Sequence, residues 1–211
     1  SEDIKQLVNT PIGELETALS AEDSRIEDTP IIVLIHNIQL DKTNADISLA
    51  ASFKTHFQMP AGPVTRKSVF LVYPYENTLF KLRMQGKDIV DHLNRCSAYY
   101  SVHDGNLTVN KEIPGYNFDM AEGLNYTIIY HNNSKPEIKA TSLTSGKKFK
   151  MDGLYTVAVN SYRAQQLMKT YDCTLLWKSQ LSMRDFVEMY FQQNSPVKIM
   201  ANQNWRIQIQ N

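Results

Sequence analysis

The sequence predicts a single α+β domain, a mixed β-sheet packed by helices, and three observations carry that prediction. Segments with the two-residue alternation of strands, such as Thr78–Met84 and Asn204–Gln210, stand beside segments with the three- and four-residue spacing of helices, such as Pro30–Asp41 and Met183–Gln193. No internal repeat is visible, and no low-complexity linker divides the chain. The 211 residues are enough to bury a sizeable core, so residues 1–211 are read as one domain with 1–11 as its lead-in segment.

Taken in order, Ile4–Leu19 is weakly periodic and Ser20–Arg25 is a polar loop leading to Asp28-Thr29-Pro30. A capping oxygen followed by proline at the first helical position marks a helix start there. From Pro30 to about Asp41, Ile31, Leu34, Ile35 and Ile38 recur at helical spacing and predict a core-facing helix, with His36 a satisfied residue on its flank. Ala45–Ala51 alternates as a strand. The loop Ser52–Pro63 follows, carrying Lys54, His56 and the turn residues Pro60, Gly62 and Pro63. Thr65 caps a short helix, Arg66–Leu71, which delivers the chain to Tyr73-Pro74-Tyr75-Glu76-Asn77. In the strand Thr78–Met84, Phe80, Leu82 and Met84 face one way and Lys81 and Arg83 the other. Gly86–Ser97 is a helix with Ile89, Leu93 and Cys96 along one stripe. Tyr99–Leu124 reads as a long polar connection with turn signals at Asp104-Gly105 and Pro114-Gly115 and a cluster of Tyr116, Asn117 and Phe118. Asn125–Tyr130, Glu137–Leu143 and Leu154–Asn160 are strands, and Ala164–Tyr171 is a helix. Ser182 caps a further helix, Met183–Gln193, that Pro196 stops, and Asn204–Gln210 closes the domain as a strand.

Composition excludes several function classes. With 22 basic and 22 acidic residues there is no net field to recruit a nucleic acid polymer or an anionic membrane. No apolar run approaches the roughly 20 residues that span a bilayer. The two cysteines, Cys96 and Cys173, read as isolated thiols. The five histidines are scattered, without carboxylates at ligand spacing, and no phosphate loop, nucleophile elbow or His-Glu-x-x-His appears, so a self-contained metal or nucleophile site is not expected.

What remains is recognition. Proline cannot donate to a sheet ladder and holds its predecessor extended, so Tyr73-Pro74 forces an irregular turn that presents Tyr75 and Asn77 at the mouth of the following strand. A second aromatic strand exit, Asn160-Ser161-Tyr162-Arg163, stands at the end of another β run. Two rings on neighbouring loops sandwich a flat base, each contributing about 1–3 kcal/mol of stacking. The alternative is that both tyrosines pack on the sheet edge.

Four ordered motifs go further: Tyr73–Leu79, Met84–Ile89, Tyr116–Leu124 and Tyr155–Arg163 together resemble the C-terminal domain of the bacterial 5′-nucleotidase / 2′,3′-cyclic-nucleotide phosphodiesterase family, from Ile12 to the end of the chain. The resemblance implies an exported enzyme of nucleotide catabolism. Its N-terminal metallophosphoesterase domain lies outside this chain and holds two divalent metal ions, and its C-terminal domain binds the nucleoside. It places Tyr75 and Tyr162 as base-stacking rings, Asn77 on the base edge, and Arg25, with His56 or Arg163, at the phosphate. It implies no cofactor and no catalytic residue within these 211 residues, hence no hydrolase activity from this chain alone. Two departures stand out. His56 replaces a family arginine, giving up a permanent bidentate charge. Ala164–Met168 replaces a glycine-rich loop with helix-favouring residues. They motivate the alternative of a family-derived domain that has lost nucleotide binding and acts as a structural or protein-interaction module.

Overall fold

The computed structural model describes residues 1–210. The chain opens with α1 (Glu2–Asn9), β1 (Pro11–Leu15) and β2 (Leu19–Ser20), then α2 (Pro30–Thr43), β3 (Ile47–Ala51), β4 (Gln58–Met59), β5 (Gly62–Thr65) and α3 (Arg66–Val72). Its middle holds β6 (Thr78–Gln85), α4 (Gly86–Cys96), β7 (Tyr100–His103), β8 (Asn106–Val109), β9 (Asp119–Glu122), β10 (Leu124–His131), β11 (Glu137–Leu143) and β12 (Leu154–Asn160). It ends with α5 (Ser161–Thr170), β13 (Thr174–Ser182), α6 (Met183–Asn194) and β14 (Trp205–Gln210).

The sheets are mixed, as the sequence predicts. A five-stranded sheet has the order β13-β6-β12-β3-β9, with β12 and β3 parallel and the other pairs antiparallel. A three-stranded sheet, β11-β10-β14, pairs β10 and β14 in parallel. α2 packs on β3, β12 and α6 and is buried nearly all round: Ile31 through His36, Ile38 and Gln39 are all inside. His36 is therefore a core residue and not a flank one. Its Nδ1 lies 2.8 Å from Ser48 Oγ, and Gln39 Nε2 donates to the same hydroxyl at 2.8 Å and to Leu49 O at 3.0 Å. Burial lowers the His36 pKa to about 3, so the imidazole is neutral.

Other elements differ from the sequence reading for identifiable reasons. The connection Tyr99–Leu124 contains the β7–β8 hairpin, a 3₁₀ turn at Gly115–Asn117 and β9. The hairpin turns on Asp104-Gly105, both at positive φ (51° and 78°), the backbone that two-residue hairpin loops demand. β13 was not expected. Leu175, Leu176 and Trp177 are consecutive and each at least 40% exposed, so this edge strand shows no alternation to read. α5 begins at Ser161, because the Asn160 side chain accepts the Arg163 backbone N–H at 2.9 Å as an N-cap. Thr29 occupies the N-cap position of α2 without a side-chain cap bond, and Asp28 instead accepts Gln203 N–H at 3.0 Å. Ser182 and Asp185 form the capping box of α6. Cys96 and Cys173 are free thiols. No helix among the described residues is long and apolar enough to cross a membrane.

The 202–204 turn closes the core between two buried carboxyls. Glu122 Oε1 accepts from Asn202 Nδ2 at 2.5 Å, and Asn204 Nδ2 donates to the carbonyls of Ala121 and Leu124, both at 2.7 Å. Burial, and then the neighbouring Asp28, raise the Glu122 pKa from 4.5 to about 7. The fold therefore favours the protonated form. That stabilisation is complete below the unfolded value and is lost as pH rises through about 7. His36 titrates in the opposite sense, so the informative quantity is a difference. Urea unfolding of Glu122→Gln and wild type across pH 4.5–7.5 is expected to show the variant gaining on wild type throughout that window, by roughly 1–3 kcal/mol at its upper end. A constant difference would refute this reading.

Candidate functional site, an aromatic cleft at one end of the sheet

Sheet topology brings four separated segments to one place. β12 and β3 run parallel, and β6 and β9 run antiparallel to them. The ends of β12 and β3 therefore meet the starts of β6 and β9. Leu79 pairs with Asn160 and Ala51 with Asp119, which fixes the register at that end. Phe53 follows β3, Tyr75 and Asn77 precede β6, Tyr116 precedes β9, and Asn160, Tyr162 and Arg163 end β12 and begin α5. Together these line a cavity of about 260 Å³. Its position, outside the carboxyl ends of two parallel strands, is where open α/β sheets place ligands.

The walls are rings. Tyr73 is buried and anchors the Pro74 turn, while Tyr75, two residues on, is 44% exposed. Phe53 lies edge-on to Tyr75 with centroids 5.0 Å apart. Tyr116 lies between the two predicted rings, 6.3 Å from Tyr75 and 6.5 Å from Tyr162. Tyr162 sits in the first turn of α5, not on a loop, and is 49% exposed. Asn77 Nδ2 donates to the Tyr73 hydroxyl at 3.3 Å, leaving its amide oxygen without a protein partner among the described residues.

The arginines serve the walls. Arg25 Nε and Nη2 donate to Ser52 O at 2.9 and 2.6 Å, and Nη2 also to Phe53 O at 3.1 Å, so this side chain holds the Phe53 segment in place. A Cβ at Gly115 would lie 2.1 Å from Arg25 Cζ, which is why a glycine precedes Tyr116. Arg163 is buried. Its Nε donates to Asp119 Oδ2 at 2.8 Å, its Nη2 to Tyr116 O at 2.9 Å and to Asn117 Oδ1 at 3.0 Å, and its Nη1 to Gln166 Oε1. Asp119 also meets His92 Nε2 at 2.7 Å. Burial pushes the Asp119 carboxyl up, but Arg163 foremost and His92 with it outweigh burial and hold it ionised below its usual value.

Of the six residues singled out from sequence, Tyr75, Asn77, Tyr162 and Arg163 line one cavity, whereas Arg25 and His56 do not. His56 is exposed on the loop after β3. The donors of Arg25 and Arg163 are largely engaged by protein oxygens. Phe53 was missed because nothing in a loop sequence distinguishes a wall residue. Tyr116 carried a signal, the aromatic cluster before Phe118.

Fold and cleft together define a mixed-sheet α+β domain with an aromatic-walled site at its strand ends. The chain belongs to the family described as 5′-nucleotidase, C-terminal domain, whose profile matches residues 11–171. It is 24% identical over 96% of its length to a 2′,3′-cyclic-nucleotide 2′-phosphodiesterase/3′-nucleotidase of Yersinia enterocolitica, and 23% identical over 96% to the trifunctional nucleotide phosphoesterase protein YfkN of Bacillus subtilis. It spans 38% and 16% of those two proteins. Among solved structures, the 5′-nucleotidase precursor of Thermus thermophilus superposes with a TM-score of 0.79 at 19% identity, covering 98% of this chain and 41% of that one.

A buried ion pair is destabilising to halve, because the remaining charge is left uncompensated. Arg163→Met is expected to lower stability by roughly 3–5 kcal/mol in wild type and by clearly less in an Asp119→Asn background. A double-mutant cycle by denaturant unfolding measures the coupling, and additive effects would show that the pair is not coupled.

Proposed function

We propose that this chain is the nucleoside- or nucleotide-recognition domain of an exported phosphoester hydrolase acting in nucleotide catabolism. The observation that carries the reading is the run of rings Phe53, Tyr75, Tyr116 and Tyr162 around one cavity, with the Asn77 amide at its side. Aromatic faces attract a flat base, and an amide oxygen without a protein partner reads a donor on its edge. The names of the relatives support nucleotide phosphoesters as the substrate class. In this reading, metal-assisted attack of water on phosphorus belongs to a metallophosphoesterase domain outside these residues, which holds two divalent ions. The chain's own contribution is to bind and orient. Arg25 and Arg163 set the ring positions, and the phosphate is handled by groups beyond the cleft.

A second reading, a protein-interaction module, is favoured by α5 standing where the family resemblance implies a glycine-rich loop, and by the exposed Leu175, Leu176 and Trp177 on edge strand β13. Titration with adenosine, AMP and a 2′,3′-cyclic nucleotide, followed by tyrosine fluorescence, separates the two. The recognition reading expects saturable binding that weakens about tenfold or more in each of Tyr75→Ala and Tyr162→Ala. Binding indifferent to both substitutions would move the base out of this cleft, and no binding by the folded chain would favour the interaction module.

A further inference from the structure

A second cavity, of about 320 Å³, lies on the other side of Arg163, which lines both; His92, Cys96, Asn117, Gln166 and Tyr171 are among its walls. His92 and Cys96 stand four residues apart on α4, so their side chains leave the same helix face. Asp119, at the start of β9, meets them from the core side. His92 Nε2 lies 2.7 Å from Asp119 Oδ2 and 3.5 Å from Cys96 Sγ, and one donor atom of each of the three buried residues falls within 4.8 Å of the others.

We propose that His92, Cys96 and Asp119 form a binding site for one divalent transition-metal ion of the zinc class, with the fourth position open to the second cavity. The spacing fits. Bonds of about 2.0–2.1 Å to nitrogen and about 2.3 Å to sulfur at a tetrahedral angle put the two donors about 3.6 Å apart. His92 Nε2 and Cys96 Sγ are 3.5 Å apart without the ion. The direct His92–Asp119 contact must open by about 0.6 Å on the same geometry, and the Asp119 oxygen, within 4.8 Å of Cys96 Sγ, must settle at about 3.6 Å from it.

The donor chemistry also fits: a thiolate, a neutral imidazole and a carboxylate are the ligating forms, so binding releases protons and tightens as pH rises. Arg163 stays on Asp119 as the outer partner that orients a ligating carboxylate. A thiolate and an imidazole select zinc-class ions over magnesium or calcium. Only the four-residue spacing of His92 and Cys96 is visible in the sequence, because Asp119 reaches His92 only through the packing of β9 against α4. The inference is independent of what the aromatic cleft binds.

Cobalt(II) titrated into the 211-residue chain under reducing conditions is the probe. One equivalent is expected to bind with thiolate-to-cobalt charge-transfer absorption and visible bands of tetrahedral intensity, both abolished by competing zinc. Cys96→Ser removes the charge-transfer absorption and weakens uptake at least tenfold, while Cys173→Ser changes neither. A second measurement needs no variant: saturating zinc slows alkylation of Cys96 at least tenfold in the wild-type chain and leaves Cys173 unaffected, read by peptide mass spectrometry. No charge-transfer absorption with wild type, absorption that survives Cys96→Ser, or Cys96 alkylation indifferent to zinc overturns the proposal.

Discussion

The buried ion pair of Asp119 and Arg163 ties together segments that the sheet alone only brings near one another. Arg163 leaves the start of α5 and Asp119 the start of β9, and β3 lies between their strands. Both side chains are more than nine-tenths buried, so each charge is tolerable only because the other is there. Once the guanidinium is fixed on Asp119, its remaining donors have few directions left. They fall on Tyr116 O, Asn117 Oδ1 and Gln166, which fixes the middle ring of the cleft. Arg25 does the same for the opposite wall through Ser52 and Phe53. A pair of arginines thus sets ring positions to within hydrogen-bond tolerance, and side chains so held lose little further entropy when a ligand arrives.

This use of charge shapes what the cleft can recognise. Its cation is neutralised from behind by Asp119, its polar lining is otherwise two amides and three phenolic hydroxyls, and its rings present apolar faces. Such a surface favours a neutral, flat, partly polar group over an anion. On the proposed reading, recognition of a base and handling of a phosphate are therefore separable tasks, and the cleft suits the first.

Much of the scaffold was legible because it depends on local pattern. β6 alternates, α6 carries a capping box, and Asp104-Gly105 marks a turn, though not the strands β7 and β8 on either side of it. The Pro74 turn and the aromatic exit of β12 were legible for the same reason, and the antiparallel pairing of β6 with β12 turns two local signals into one cleft. What escaped depends on packing. Phe53 is an unremarkable loop residue until β3 ends beside β6 and β12. His36 lies on a helix whose visible stripe marked one face, whereas α2 is enclosed on nearly all sides. β13 is exposed on both faces, so no two-residue period was there to find.

The helix at Ala164–Met168, where the family resemblance implies a glycine-rich loop, follows the same logic. Glycines in such a loop would let backbone N–H groups approach an anion, but α5 commits those groups to helical hydrogen bonds. The helix also supplies a contact of its own. Gln166 lies one helical turn beyond Arg163 and accepts from its guanidinium, a contact that helical spacing supplies and an extended loop would not. The helix therefore reinforces the Arg163 strut while spending its own backbone donors on helical bonds. Both effects point the same way: a rigid aromatic wall, and no free backbone donors from this segment for an anion. On the proposed reading, a domain built so relies on groups outside the cleft for the charged part of a nucleotide, and its own selectivity rests on the shape and edge pattern of the ring held against Tyr75, Tyr116 and Tyr162.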